Sequence, residues 1–419
     1  MPAELDGHYG AAVMRRPTRH RVLLQCSVAV LLVACSSNAT RSATSLTASP
    51  STPALTTAST APALTASTTT AASTTTAAPT TTAASDPIAT CVSTWTLRDQ
   101  IALLVWPAVY SDQWASAQQT VKTLHVGGVV LMKPSNAFAD VLHSNLSSLK
   151  ALSRHGLLVA TDEEGGEVQR LSELGLLPSE QEMSGKSSAE IAAIVAAHAK
   201  VVAKAGIDVV FAPVVDVRPV AGKDPLGQGR LFVGDGARVA TLAAIYVHAW
   251  EAAGVLPVLK HFPGHGSASA NTETKLATTP PLAQLLLRDL VPYEQLVGSG
   301  AGVMVGHLAV PGLTDGKPAS QSAAAVDLLR NRLGYGDALV ISDALGMGAV
   351  GAPVPEAAVR AIAAGIDVVE FTGTVDTKAV IDAIEQAVQQ GRLTVAQIGV
   401  SATRVARVLA AHGTACASA

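Results

Sequence analysis

Aromatic residues make up only 3% of this 419-residue chain, cysteine occurs four times, and charged residues reach only 15%. So few rings argue against a groove paved with stacking aromatics. Four cysteines are too few for a disulfide scaffold, and no Cys-x-x-Cys or His-Glu-x-x-His pair suggests a metal site. Charge of one sign is also missing: 29 Lys+Arg face 32 Asp+Glu, a net of -3. That balance lacks the electrostatic footprint of a nucleic-acid binder. Apolar residues are plentiful at 48%, enough for a globular core and too many for a wholly disordered chain.

The first 90 residues read as export and tether rather than fold. Arg15, Arg16, Arg19 and Arg21 precede a short apolar run, Val28 to Ala34. That pattern is a secretory signal too short to span a bilayer. The run ends in Leu32-Val33-Ala34-Cys35, which resembles a bacterial lipobox, so Cys35 is the expected lipidation site and Cys26 is expected to be lost with the signal. Ser36 to Ser85 is almost all Ala, Ser, Thr and Pro, with Arg41 its one charge, and nothing there can bury a core. The expected layout is a signal over 1–35, a disordered linker over 36–90 and a folded domain over 91–419. The protein would be exported and lipid-anchored on the outer face of the cytoplasmic membrane. Cys91 and Cys416 bracket the folded part, and in an oxidising compartment they could pair or remain free thiols.

From Trp95 onward, short apolar runs alternate with longer amphipathic stretches. The runs are Leu103–Val109, Gly128–Leu131, Leu157–Ala160, Val209–Ala212, Pro257–Lys260, Val303–Gly306, Ala338–Ser342 and Asp367–Phe371. Helical spacing lies between them, as in Ala189–Ala205 and Leu282–Val297. Fully apolar strands separated by helices imply a parallel sheet covered on both faces. Eight of them predict an α/β fold, a single (β/α)8 TIM-type barrel; an open doubly wound sheet is the alternative. Polar clusters follow strand after strand: Asp162-Glu163-Glu164-Gly165-Gly166, Asp216, His261 to Gly266, His307 and Asp343. In such barrels the C-terminal strand ends form the active-site mouth.

These clusters carry a resemblance. TDEEGGEVQRL (161–171), FAPVVDV (211–217), GRLF (229–232), KHFPGHG (260–266), VMVGHLAVPGL (303–313), KPAS (317–320) and VISDALGM (340–347) occur in order. Together they resemble glycoside hydrolase family 3, most of all its single-domain β-N-acetylglucosaminidases that trim peptidoglycan fragments. The resemblance implies Asp343 as the nucleophile of a retaining mechanism with a covalent glycosyl-enzyme. On local sequence alone Asp343 could instead cap a helix. Lys260 and Arg170 are expected to keep its pKa low. Asp162, Arg170, Arg230, Lys260 and His261 match sugar-binding positions, because a carboxylate accepts from hydroxyls and a guanidinium or ammonium donates to them. For Arg170 and Arg230 a structural salt bridge is the rival role. His265 reads as loop scaffold, Asp216 and His307 as lining or buttress, and Glu164 as bonding backbone within its turn. The implied partners are amino-sugar glycosides or muropeptides and, through Cys35, a membrane. The protein is expected to be a monomer, with no nucleic acid, cofactor or metal.

One departure from the family pattern bears on the chemistry. Members of this type carry an Asp-x-His pair after KHFPGHG, the His serving as general acid/base. Here those places hold Asn271 and Glu273. Three readings follow: Glu273 replaces the His; turnover is impaired and the protein is a sugar-binding lipoprotein; or an acid arrives from elsewhere. General acid/base catalysis is worth roughly 10²–10⁴-fold, so a bare loss would leave a slow enzyme.

Overall fold

The computed structural model describes residues 86–416, apart from 133, 135–140 and 219–223. The expected signal, Cys35 and the stretch 36–85 of the linker lie outside the described residues. The folded part begins earlier than the expected Cys91. Asp86 accepts the Ile88 N–H at 3.0 Å and caps a helix, Pro87–Ser93, with Pro at its first turn. Proline suits that position because its missing N–H has no partner in a first turn anyway. This helix packs on the last one, Val395–Ala411, and Cys91 is disulfide-bonded to Cys416, with Cα atoms 6.0 Å apart and a sequence separation of 325.

The eight apolar runs form eight strands: β1 (Val105–Val109), β2 (Gly128–Leu131), β3 (Leu158–Thr161), β4 (Val209–Val210), β5 (Leu256–Phe262), β6 (Gly302–Val305), β7 (Val340–Ser342) and β8 (Val369–Phe371). Every ladder between neighbours is parallel, in the order β7-β6-β5-β4-β3-β2-β1-β8. The two outer strands meet where Ile341 bridges Val368 and the Ser342 N–H donates to the Val368 carbonyl at 2.8 Å. The sheet therefore closes into a (β/α)8 barrel and the open-sheet alternative falls away.

Strand parity sets what fills the barrel. Val130 and Glu370 line the cavity at the mouth, and Trp106 stands in register with Glu370. The Trp106 indole is fully buried, with its N–H donating to the Leu103 carbonyl at 3.1 Å. A Cβ on Gly128 would lie 2.6 Å from that ring, so the neighbouring strand needs glycine to admit the indole. The barrel is thus plugged below its mouth rather than hollow.

Helices cover the outside and start where their caps dictate. Ser188–Ala205 opens with a Ser187/Glu190 capping box and stops at Gly206 with φ 102°, and Val395–Ala411 opens with a Thr394/Gln397 box. The stretch 282–297 departs from the single helix its periodicity predicts. It forms two short helices, Leu282–Leu285 and Val291–Leu296. Pro292 falls at the start of the second and can only occupy a first turn, so the helix is interrupted ahead of it.

At the N-terminal end of the barrel two carboxylates are fully engaged. Asp367 accepts from Arg330 at 2.6 Å, Arg404 at 3.0 Å, Ser401 at 2.8 Å and the Val340 N–H at 3.0 Å. Asp208 accepts from Lys150 at 2.7 Å and the Val159 N–H at 2.8 Å.

Candidate active site

The C-terminal strand ends surround a cavity of about 570 Å³. Asp162, Arg170, Arg230, Lys260, His261, Glu273 and Asp343 all line it, so the structure brings together every catalytic and sugar-binding candidate read from the sequence. Asp343 follows β7 directly. Its N–H donates to the Val305 carbonyl at 3.0 Å, and its side chain accepts the Ala344 N–H at 2.9 Å. No helix begins there, so it is not a helix cap. Burial pushes its carboxyl up, but His261, His307, the Ala344 N–H and Lys260 outweigh burial and hold it below the usual range. Lys260 contributes as expected. Arg170 does not figure, because its guanidinium is turned to Asp162.

Asp162 follows β3. A two-stranded turn, Glu163–Gly165 against Val168–Gln169, folds back and sets Arg170 beside it. A Cβ on Gly165 would lie 2.3 Å from the Pro178 carbonyl, and its φ is 99°, so the turn requires glycine twice over. Arg170 donates to Asp162 at 3.0 Å and Lys260 at 2.8 Å. Burial raises the Asp162 carboxyl, and the two cations bring it well below the ordinary carboxylate range. Lys260 also pairs with Glu164 at 2.5 Å. Glu164 therefore departs from its expected backbone role: it lies under Lys260 and takes Arg230 through two bonds of 2.7 and 2.8 Å. That fork–fork pair makes Arg230 a brace for the Glu164–Lys260–Asp162 chain, although it also edges the cavity.

Lys260 and His261 end β5, where the register against β6 shifts between Leu259 and Phe262 and the Lys260–His261 peptide is cis. His261 shares a 2.7 Å hydrogen bond through Nδ1 with Asp216, leaving Nε2 as the ring nitrogen for the cavity. Asp216 is fully buried and also accepts from the backbone N–H of His261 and of His265. Asp216 and His307 are both buttresses. His307 bridges Ser320 at 2.7 Å and the Ala344 carbonyl at 3.0 Å, steadying the turn that carries Asp343. His265 joins the loop to Thr272 at 3.2 Å and also faces the cavity, so it is more than scaffold.

Glu273 is exposed at the cavity edge. Its carbonyl accepts the Gly348 N–H at 2.8 Å, and the Thr272 carbonyl accepts the Ala349 N–H at 3.2 Å. A Cβ on Gly348 would sit 2.3 Å from the Thr274 carbonyl, so glycine lets this loop dock on the segment after β7. Asn271 does not orient the Glu273 carboxyl; its Oδ1 accepts the Glu273 backbone N–H at 2.9 Å. Below the loop, Arg288 bonds both Ser267 and the buried Asp289, and burial pushes the Asp289 carboxyl up to about 6 despite Arg288. Among the described residues no cluster of His, Cys, Asp or Glu could hold a metal ion.

The sequence reading gave Glu164 the wrong partner and passed over Glu370. Glu370 stands inside an apolar strand, where a lone charge was the available signal.

The comparisons agree with this geometry. The profile of the Glycosyl hydrolase family 3 N terminal domain matches residues 96–408. Beta-hexosaminidase LpqI of Mycobacterium tuberculosis (strain ATCC 25618 / H37Rv) is 40% identical over 321 residues, 74% of this chain and 81% of that protein. The crystal structure of a glycosyl hydrolase of this family from Mycobacterium smegmatis str. MC2 155 has a TM-score of 0.71 at 39% identity, covering 76% of this chain and 98% of the other. A family 3 β-N-acetylglucosaminidase from Paenibacillus sp. str. FPU-7 has a TM-score of 0.70 at 26% identity, covering 76% and 63%. The chain belongs to glycosyl hydrolase family 3, and it is a glycoside hydrolase.

Proposed function

We propose that the protein is a retaining exo-β-N-acetylhexosaminidase that removes terminal N-acetylglucosamine from peptidoglycan-derived fragments. The observation that carries this is Asp343, with its pKa held low, in one plugged cavity with Asp162, Arg170 and Lys260. Asp162, Lys260 and Arg170 grip the sugar hydroxyls, and Nε2 of His261 adds a fourth polar contact. Asp343 attacks the anomeric carbon as the bond to the leaving oxygen breaks. Glu273, at the open edge where the leaving group departs, gives that oxygen a proton and later takes one from the water that hydrolyses the glycosyl-enzyme. The likeness to proteins named beta-hexosaminidase supports the amino-sugar substrate.

The site is further proposed to work outside the cytoplasmic membrane, as a monomer anchored through Cys35. The Cys91–Cys416 disulfide supports an oxidising compartment. The test is hydrolysis of an aryl β-N-acetylglucosaminide by the full chain, with the anomer of the first product read by NMR. Turnover with retention is expected, and no turnover above an Asp343→Ala control would sink the reading. Glu273→Gln is expected to lower kcat by roughly 10²–10⁴-fold while sugar binding persists. The orientation of Asn271 favours a second reading, a sugar-binding lipoprotein with impaired turnover. Calorimetric binding of N-acetylglucosamine without hydrolysis would select it.

A further inference from the structure

One carboxyl of the cavity wall is buried and belongs to neither the nucleophile, the cationic grip nor the Glu273 loop. Glu370, the middle residue of β8, is 4% exposed and lines the cavity. It stands in register with Trp106, the indole that plugs the barrel. Its Oε2 is buried with no hydrogen-bond partner among the described residues. The other buried carboxyls of the strand ends are paired: Glu163 with His198, Glu164 with Arg230 and Lys260, Asp216 with His261. Leaving such an oxygen unsatisfied in a buried site is unfavourable, and native structures rarely retain one without a role for the group.

We propose that Glu370 is a sugar-binding residue that grips a ring hydroxyl of the terminal sugar from the closed end of the cavity, away from the leaving group. This deepens the exo-glycosidase reading and rests on it. Position decides between binding and acid/base work. An acid/base must reach the oxygen that leaves toward solvent, and Glu273 occupies that edge. Glu370 lies in the layer of the plug, where the far side of the ring, with its hydroxyls remote from the anomeric carbon, would rest.

The charge state fits the same role. Burial, then Asp343 from β7, Asp162 beyond β3 and Glu273 from the loop after β5 all push the Glu370 carboxyl up, and Lys260 from β5 pulls it down. The net effect holds it well above the usual carboxylate range. Trp106 of β1, its partner on the other side, brings no charge. A carboxyl accepts from a sugar hydroxyl, and when protonated it also donates one hydrogen bond, so each group can satisfy the other.

The test is a binding cycle on the full chain. Calorimetric Kd values are measured for N-acetylglucosamine and for its 3-, 4- and 6-deoxy analogues, with wild type, Glu370→Leu and Glu370→Gln. Glu370→Leu is expected to weaken N-acetylglucosamine binding about tenfold, and Glu370→Gln, which keeps a donor and an acceptor, about threefold. One deoxy analogue should bind wild type about tenfold worse than the parent sugar yet bind the Leu variant equally well, because the contacted hydroxyl has already lost its partner. A merely structural role would not produce that coupling. Additive losses for all three analogues, or unchanged affinity in Glu370→Leu, would overturn the proposal. Should the Leu variant fail to fold, the same cycle is read on Glu370→Ala, which also removes the contact, and additivity there is equally fatal. A wild type that binds no N-acetylglucosamine would refute the amino-sugar reading itself, a different result from additivity.

Discussion

Asp367, two residues ahead of β8, and Glu370, its middle residue, lie three residues apart, and both are buried. Asp367, toward the N-terminal end of the barrel, accepts four hydrogen bonds, two of them from arginines. Glu370, facing the mouth, has an oxygen with no partner. The same contrast separates Asp208, held by Lys150 and a backbone N–H, from Asp343, whose side chain takes one neighbouring N–H. Carboxylates that hold the barrel are satisfied within the protein. Those that face substrate keep bonding capacity in reserve, and the local fields of the mouth set their charge. One end of the barrel serves stability and the other chemistry.

Substitutions can break or sharpen that division. The largest effect is expected at the mouth. Asp343→Ala should lower turnover of the aryl glycoside by at least about 10³-fold, with a melting temperature close to wild type. Asp367→Asn should do the reverse. Weakening its hold on two largely buried arginines should lower the unfolding free energy by about 3–5 kcal/mol in urea titrations, while the folded fraction keeps the wild-type KM. Equal damage to stability from both would erase the distinction. Replacing Cys91 and Cys416 with serine frees the two terminal helices from their covalent link. It should cost roughly 2–4 kcal/mol with little change in catalysis, measured by denaturation with and without reductant. The smallest expected effect concerns Asp289, under the loop that carries Glu273. Its folded pKa, about 6, lies above the ordinary aspartate value of about 3.9. Its contribution is therefore full below about pH 4 and lost as pH rises through 6. Between those values wild type should lose up to about 3 kcal/mol relative to Asp289→Asn, followed by melting at stepped pH. A parallel pair of curves would count against it.

Much of the fold was legible in the residues because a strand buried on both faces needs an apolar run and a covering helix needs 3.6-residue spacing. All eight runs became strands, and the spacing over Ala189–Ala205 is a helix, Ser188–Ala205. The failure at 282–297 came from reading periodicity through Pro292, whose backbone chemistry overrides it. Of the site, the ordered motifs placed Asp343, Asp162, Lys260 and Glu273 around one cavity. They did not reveal that Arg230, in the loop after the neighbouring strand, braces Glu164, since its guanidinium could equally have gripped the sugar.

From the residues alone came the alternation of strand and helix, the closure it implies, the family motifs and the substitution at Asn271 and Glu273, since each is a local pattern or a count along the chain. Only the tertiary structure decided which charges pair, which carboxyl is left without a partner and which end of the cavity is plugged. Those outcomes depend on distances between strands far apart in the chain, and electrostatic and packing energies follow distance rather than position in the sequence.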